Sequence, residues 1–202
     1  MAQAGQSPSC ATNGDVNAFR IRELPMLGDH EIQGLSDVLI DCVEGGASVS
    51  FMLPFPRAKA GMFWRGVSGS VARGERLVFV AEDTAGVIVG TVTVILNLPE
   101  NQPHRAEVAK MLVHRSARRM GLGAALLDAA ERGAARAGKS LLVLDTVSDS
   151  DAHRLYARQG WRRCGEIPDY ALWPDGKPCA ATIFFKSLKA HPEGLPNASL
   201  PQ

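Results

Sequence analysis

Apolar positions along the chain change their period several times, and each change marks an element. Ala18 to Leu24 reads as a first strand. Ile32, Leu35, Val38, Leu39, Cys42 and Val43 then recur at three- and four-residue steps, which is one face of a helix. Asp29 suits its cap, and Gly45-Gly46 its end. Residues 47–57 are apolar (Phe51, Met52, Leu53, Phe55) but broken by Pro54 and Pro56, so they read as a loop packed under another element. A weaker helical pattern covers 58–72. Arg76 to Glu82 and Val87 to Leu98 are β-branched runs joined by Asp83-Thr84-Ala85-Gly86, a hairpin turn. Arg105 to His114 reads as a strand, Gly121 to Ala137 as a helix, Leu141 to Thr146 as a strand, and Ser150 to Gln159 as a helix. Trp161 to Glu166 and Thr182 to Leu188 close the body as two strands around a Pro/Asp/Gly-rich loop.

This order predicts an α+β (mixed α/β) fold. Its sheet is mostly antiparallel and twisted, holds one parallel strand pair, and is flanked by about four helices. Residues 1–17 are poor in apolar positions and read as a disordered lead-in; 190–202 carry Pro192, Pro196 and Pro201 and read as a tail. The folded domain is therefore expected at 18–189, without internal repeats. A chain of 202 residues buries roughly 70% of its extended surface on folding, enough for a core without disulfide or metal staples.

Composition then narrows the function. Lys and Arg number 22 against 21 Asp and Glu, a net charge of +1, so a nucleic-acid footprint over the whole protein is not expected. Cys10, Cys42, Cys164 and Cys179 form no CxxC pair and no zinc spacing, so no metal site is expected and free thiols fit a reducing cytoplasm. The first residues lack the basic-then-apolar pattern of a signal, and no apolar run is long enough to span a bilayer.

The chemistry concentrates in Val113-His114-Arg115-Ser116-Ala117-Arg118-Arg119-Met120-Gly121-Leu122-Gly123-Ala124. A strand ends, a short basic loop follows, and two glycines open a helix. The first N–H groups of a helix have no internal partner and lie at the positive end of its dipole. Glycines let a ligand's phosphates approach the backbone, and Arg115, Arg118 and Arg119 add charge. The pattern predicts an anion site for a pyrophosphate. A P-loop is excluded because GxxxxGK[ST] is absent. A dinucleotide fold fits poorly, since Leu126 occupies the third glycine position and only one crossover unit is present.

Arg118-x-x-Gly121-x-Gly123 resembles the [Q/R]xxGx[G/A] signature of the GNAT acetyltransferase superfamily. Ala152-x-x-x-Tyr156-x-x-x-Gly160-Trp161 resembles that family's next helix, and the element order resembles its fold over about 18–188. His104-Arg105-Ala106-Glu107-Val108, Leu144-Asp145-Thr146, Gly165 to Tyr170 and Pro174-Asp175-Gly176 are similar to its tabtoxin-resistance branch. The resemblance implies acetyl-CoA as co-substrate, held by Met111, Leu112 and Val113 and by Arg118, Arg119, Met120, Gly121, Leu122, Gly123 and Ala124. It implies an N-acetyltransferase of a small amine, such as a toxin- or antibiotic-like amino compound. A protein N-terminal or lysine acetyltransferase and an inactive coenzyme-A-binding module are the other readings. It also allows a homodimer paired through the last strands.

Acyl transfer from a thioester to an amine needs a base for the amine proton, a donor for the developing oxyanion and a proton for the leaving thiolate. Glu107 and Asp145 are the candidate bases. Period-two alternation places Glu107 on the face of Ala109, Met111 and Val113. The resemblance makes Tyr156 the general acid and the Val113 N–H, presented by a bulge, the oxyanion donor. It also places 47–57, Tyr170 and Trp173 on the amine side of the cleft. Cys179 is expected in the last loop without anything to activate it.

Overall fold

The structure is a computed structural model that describes residues 19–188; the segments expected as tails, 1–17 and 190–202, lie outside the described residues. Seven strands form one sheet in the order β1-β2-β3-β4-β5-β7-β6. They are β1 (Phe19–Glu23), β2 (Arg76–Asp83), β3 (Ile88–Ile95), β4 (Arg105–Val113), β5 (Leu141–Val147), β6 (Arg162–Leu172) and β7 (Pro178–Ser187). The helices are α1 (Asp29–Glu44), α2 (Arg57–Ala72), α3 (Leu122–Arg136) and α4 (Asp151–Arg158). All neighbouring strands are antiparallel except β4 and β5. The expected fold class is the one observed, and its mainly antiparallel sheet excludes a dinucleotide fold, which needs a parallel one.

Strand alternation sends side chains to two cores. Phe79, Val92, Val94, Ala106, Val108, Leu142, Leu144 and Phe184 pack with Leu126, Leu127 and Ala130 of α3 and Tyr156 of α4. Val78, Val80 and Leu112 pack on the opposite face with Leu35, Val38 and Leu39 of α1 and Trp64 of α2. The molecule is thus a sheet between two helical layers.

Three boundaries differ from expectation. Asp29 is the first residue of α1 rather than its cap; Gly28 precedes it, and its N–H donates to the Glu31 carboxylate at 3.1 Å. Strands β6 and β7 are longer than their apolar runs, which leaves only 173–177 as the loop. The edge strand β6 absorbs Pro168 and Asp169 in an irregularity between Ile167 and Ala171, where Asp169 takes φ 51°. Cys179 therefore lies in β7 and is buried, not in a loop.

The expected bulge is present in β4. Thr91 pairs with Leu112 and Thr93 with Ala109, so Val92 faces both Lys110 and Met111, and Lys110 adopts φ 51°. The extra residue inverts the alternation. Ala106 and Val108 face the α3 layer before it, whereas Met111 and Val113 do so after it. Glu107 therefore does not share a face with Met111 and Val113, contrary to simple period-two counting; it lies on the α1/α2 face.

Gly133 of α3 tests how tightly these layers pack. A Cβ there would overlap the buried Phe79 ring and come within 3.2 Å of Leu77 Cδ1. Alanine favours a helix interior over glycine by about 1 kcal/mol, yet overpacking costs roughly 1–3 kcal/mol. Gly133→Ala is expected to lower the urea midpoint; a raised midpoint would show that the α3–sheet contact yields freely.

Candidate active site

The site begins where the sheet divides. β4 and β5 pair at Arg105↔Leu141, Ala106↔Leu142 and Glu107↔Val143, and the pairing stops there. Beyond it β4 continues with β3 alone, while β5 stays with β7. The His114 N–H donates to Val89 O at 2.9 Å, next to the Gly90↔Val113 pair. In an antiparallel ladder this turns the Val113 N–H and C=O away from β3, toward the division.

The loop after β4 is held by α1. Asp41, buried at 8% side-chain exposure, accepts the Arg115 N–H at 2.9 Å and Nε–H at 2.7 Å, and His114 Nε2 lies 3.3 Å from it. Burial pushes the Asp41 carboxyl up, but the hydrogen bonds from Arg115 and the charges of His114 and Arg115 hold it below its ordinary value. His114 Nδ1 also accepts the Ser116 N–H at 3.3 Å, capping a single 3-10 turn at Arg115–Ala117. Arg115 thus braces the loop against α1 through its N–H and Nε–H, with its side chain still exposed. The Arg118 Nε–H donates to Val113 O at 3.1 Å, with Cys42 Sγ 3.9 Å from its terminal nitrogen. Burial pushes the Cys42 thiol up, which disfavours its thiolate.

The chain enters α3 through Arg119 (φ 64°) and Gly121 (φ 80°), a conformation glycine adopts without strain. The amides of Leu122, Gly123 and Ala124 form the open first turn, and Ala125 N–H is the first to bond back, to Gly121 O at 3.2 Å. Gly123 also has a packing reason to be glycine. A Cβ there would lie 2.8 Å from Leu155 Cδ2, so its lack of a side chain serves the packing of α4 on α3. Arg119 and Met120 are exposed beside this turn. These consecutive amides with two arginines make a donor set that fits the diphosphate of a coenzyme.

The candidate acids and bases occupy the division. Glu107 stands at its base, where Arg105 contacts its Oε1 at 2.9 Å and is itself held by Gln102. Asp145 is exposed on the same face, because Leu142 and Leu144 on either side of Val143 enter the α3 core. Tyr156 lies on the other side, buried against Trp161 and Phe184 with ring centroids at 5.7 and 6.0 Å. Burial, and secondarily the charge of Asp145, push its phenol well above the ordinary tyrosine value, so it stays protonated. Two cations of this face escaped the sequence reading. Lys110 interrupts an apolar strand run, which is the signal that could have found it; Arg76 merely begins a strand and carries none.

The 45–56 segment is tied to the far end of the sheet. Ser48 Oγ–H donates to Leu172 O at 2.7 Å and Leu53 N–H to Pro174 O at 3.1 Å, tying the 45–56 segment to the end of β6 and to the β6–β7 loop. Phe51 packs with Phe55 and Phe63 beneath it. Tyr170 projects from β6 and is exposed. Among the described residues, no group of three or more His, Cys, Asp or Glu could hold a metal ion, and no helix is long and apolar enough to cross a membrane.

Residues 49–161, just over half of the chain, match the profile of the acetyltransferase (GNAT) family. Solved structures share the fold at low identity. A candidate phosphinothricin N-acetyltransferase aligns with a TM-score of 0.71 and 18% identity over 86% of this chain and 100% of that one. YncA, a candidate acetyltransferase from Salmonella typhimurium solved with acetyl-CoA, aligns at 0.71 and 20% over 91% of this chain and 100% of that one. A ribosomal-protein-alanine N-acetyltransferase from Brucella melitensis aligns at 0.69 and 20% over 83% and 99%.

The Asp41 brace yields a pH-dependent expectation. Its carboxyl titrates lower in the folded chain, so its contribution is present above the ordinary value near 3.8 and is lost as pH falls through the lowered one. Asp41→Asn should cost about 1–2 kcal/mol of stability at pH 7 by weakening charge-assisted bonds. The gap to the wild type should narrow in denaturant titrations below pH ~4. A gap that does not change with pH would show that the carboxylate charge is not what braces the loop.

Proposed function

The chain belongs to the acetyltransferase (GNAT) family and is an acetyl-CoA-dependent N-acetyltransferase, and on that premise we propose that its acceptor is the primary amine of a small molecule. The observation that carries this reading is the tie between the 45–56 segment and the far end of the sheet. Ser48 and Leu53 bond to the end of β6 and to the β6–β7 loop, and in our reading this closes that side to an extended peptide. A toxin- or antibiotic-like amino compound is the acceptor class we favour. The candidate phosphinothricin N-acetyltransferase of the same fold accords with it.

Acetyl-CoA supplies the acetyl group as an activated thioester. In our reading Met111, Leu112 and Val113 hold its arm along β4, while Arg118 to Ala124 hold its diphosphate at the start of α3. The Val113 N–H donates to the carbonyl oxygen where negative charge gathers. Glu107 or Asp145 takes the proton of the amine, arriving from the α1/α2 face. The Arg105 pair leaves Glu107 less available, which favours Asp145 as base and Glu107 as an amine-positioning group. Tyr156, protonated and dry, delivers its proton to the departing sulfur. We place this activity in residues 18–189 and in the cytoplasm.

Calorimetric titration is expected to show binding of acetyl-CoA and not of NADH or ATP. Thiol release should then follow addition of small amines and not of peptides with free N-termini or lysines. Turnover of peptides alone would overturn the small-acceptor reading. Tyr156→Phe should lower kcat by about 100-fold, the scale of general acid catalysis, with acetyl-CoA affinity unchanged. Full activity in that variant would remove the residue from the mechanism. Asp145→Asn and Glu107→Gln separate the carboxylates: the base should lose kcat, and the positioning group should raise KM for the amine.

A further inference from the structure

The turn between β4 and α3 holds a set of polar side chains that the acetyl transfer described above does not use. Ser116 Oγ lies 2.7 Å from His114 Nδ1, and His114 Nε2 lies 3.3 Å from Asp41 Oδ1. The Ser116 N–H also points at Nδ1, at 3.3 Å, so that nitrogen is bare and the neutral ring carries its proton on Nε2, toward Asp41. The Ser116 hydroxyl is then the donor and the imidazole the acceptor. Asp41, brought in from α1, is buried and fixed by the Arg115 N–H and Nε–H. Ser116 is exposed and His114 half-buried, so the outer end of the array is open to solvent.

A serine hydroxyl is a weak nucleophile until a base takes its proton during attack. The parts required are a base within hydrogen-bond reach of the hydroxyl and a third group that orients the base. All three are present, with the two ring nitrogens exchanged relative to the usual serine–histidine–aspartate arrangement. Either nitrogen of a neutral imidazole can be the acceptor, so the exchange preserves the chemistry. A cap for the 3-10 turn needs only the contact of the Ser116 N–H with Nδ1. The hydroxyl at 2.7 Å and the buried carboxylate behind the ring go beyond that need. Arg115, Arg118 and Arg119 lie within three residues of Ser116, a positive setting for an oxyanion.

We infer that Ser116 is a second acyl acceptor of this chain, a nucleophile that takes the acyl group of small activated esters, with His114 as its base and Asp41 as the residue that positions the base. The bond from Ser116 Oγ to the acyl carbon forms and the ester's C–O bond breaks. The serine proton passes to His114 Nδ1 and from there to the departing alkoxide or phenolate. Water attacks the acyl-serine in the same way, giving up a proton to Nδ1, and the acid leaves as the serine regains its hydrogen. The sum is hydrolysis of one ester by one water. Neither coenzyme nor amine takes part, so the activity stands apart from the N-acetyltransferase reaction.

The test uses the full chain without coenzyme. An alkyl fluorophosphonate, which loses fluoride to an attacking serine and leaves a stable adduct, locates the nucleophile by mass spectrometry of the digested protein. Release of p-nitrophenolate from p-nitrophenyl acetate gives the rate of acylation. The adduct should form at Ser116 in preference to every other serine. Ser116→Ala should lose both the adduct and the ester reaction while acetyl-CoA affinity holds. His114→Asn keeps an acceptor for the Ser116 N–H but no base, and should slow both reactions by about 100-fold, the scale of general base catalysis. Asp41→Asn should slow them by about tenfold or more, the scale of a charge-assisted hydrogen bond. It should add nothing in the His114→Asn background, because it acts through the ring; a carboxylate that only braced the loop would slow both backgrounds alike. An adduct absent from Ser116, or equal rates in the wild type and His114→Asn, would overturn the assignment.

Discussion

One residue too many in β4 is the constraint on which the remaining geometry depends. A strand with regular alternation would keep pairing with β5 and would put Glu107, Met111 and Val113 on one face. The additional residue at Lys110–Met111 bends β4 and lets the parallel pairing end at Glu107↔Val143. A backbone amide is then turned toward open ground inside what would otherwise be continuous sheet. The same insertion sends Met111 and Val113 to the α3 layer and leaves Glu107 and Lys110 on the α1/α2 side. Two reactants can thus meet through the sheet from opposite faces without competing for the same surface.

The loop serving one face is braced from the other. Asp41 belongs to α1, yet it fixes Arg115 and His114, which precede α3. A carboxylate buried beside a backbone N–H and a guanidinium is rigid in a way that a solvated arginine is not. Arg115 and Arg118 both bond within the loop and its neighbours, while Arg119 faces solvent.

Element type and order were legible because this chain's helices and strands differ sharply in period. The α1 stripe from Ile32 to Val43 and the β-branched runs of β2 and β3 leave little room for another reading. Edges were less legible. β6 is exposed along most of its length and carries a proline, so neither apolar alternation nor propensity marks it as an 11-residue strand. The residues of the candidate site were legible as a set, but their facing was not. Alternation counted through Lys110 assigns Glu107 to the wrong side, because a bulge in a non-glycine run leaves no local trace. The packing of Gly123 against Leu155 was not legible, since Leu155 is remote in sequence. Arg115 looked like its neighbours Arg118 and Arg119, and only the approach of α1 distinguishes it.

The contact between Gly123 and Leu155 couples two parts of the site as a matter of tolerance. Leu155 is adjacent to Tyr156 on α4, so the helix that carries the phenol is seated directly on the first turn of α3. An added Cβ at 123 would be met first by the end of the Leu155 side chain, within 2.8 Å of Cδ2, and that end would have to turn aside. The first turn of α3 and the residue next to Tyr156 thus share one contact, and a change of size at 123 is felt first on α4.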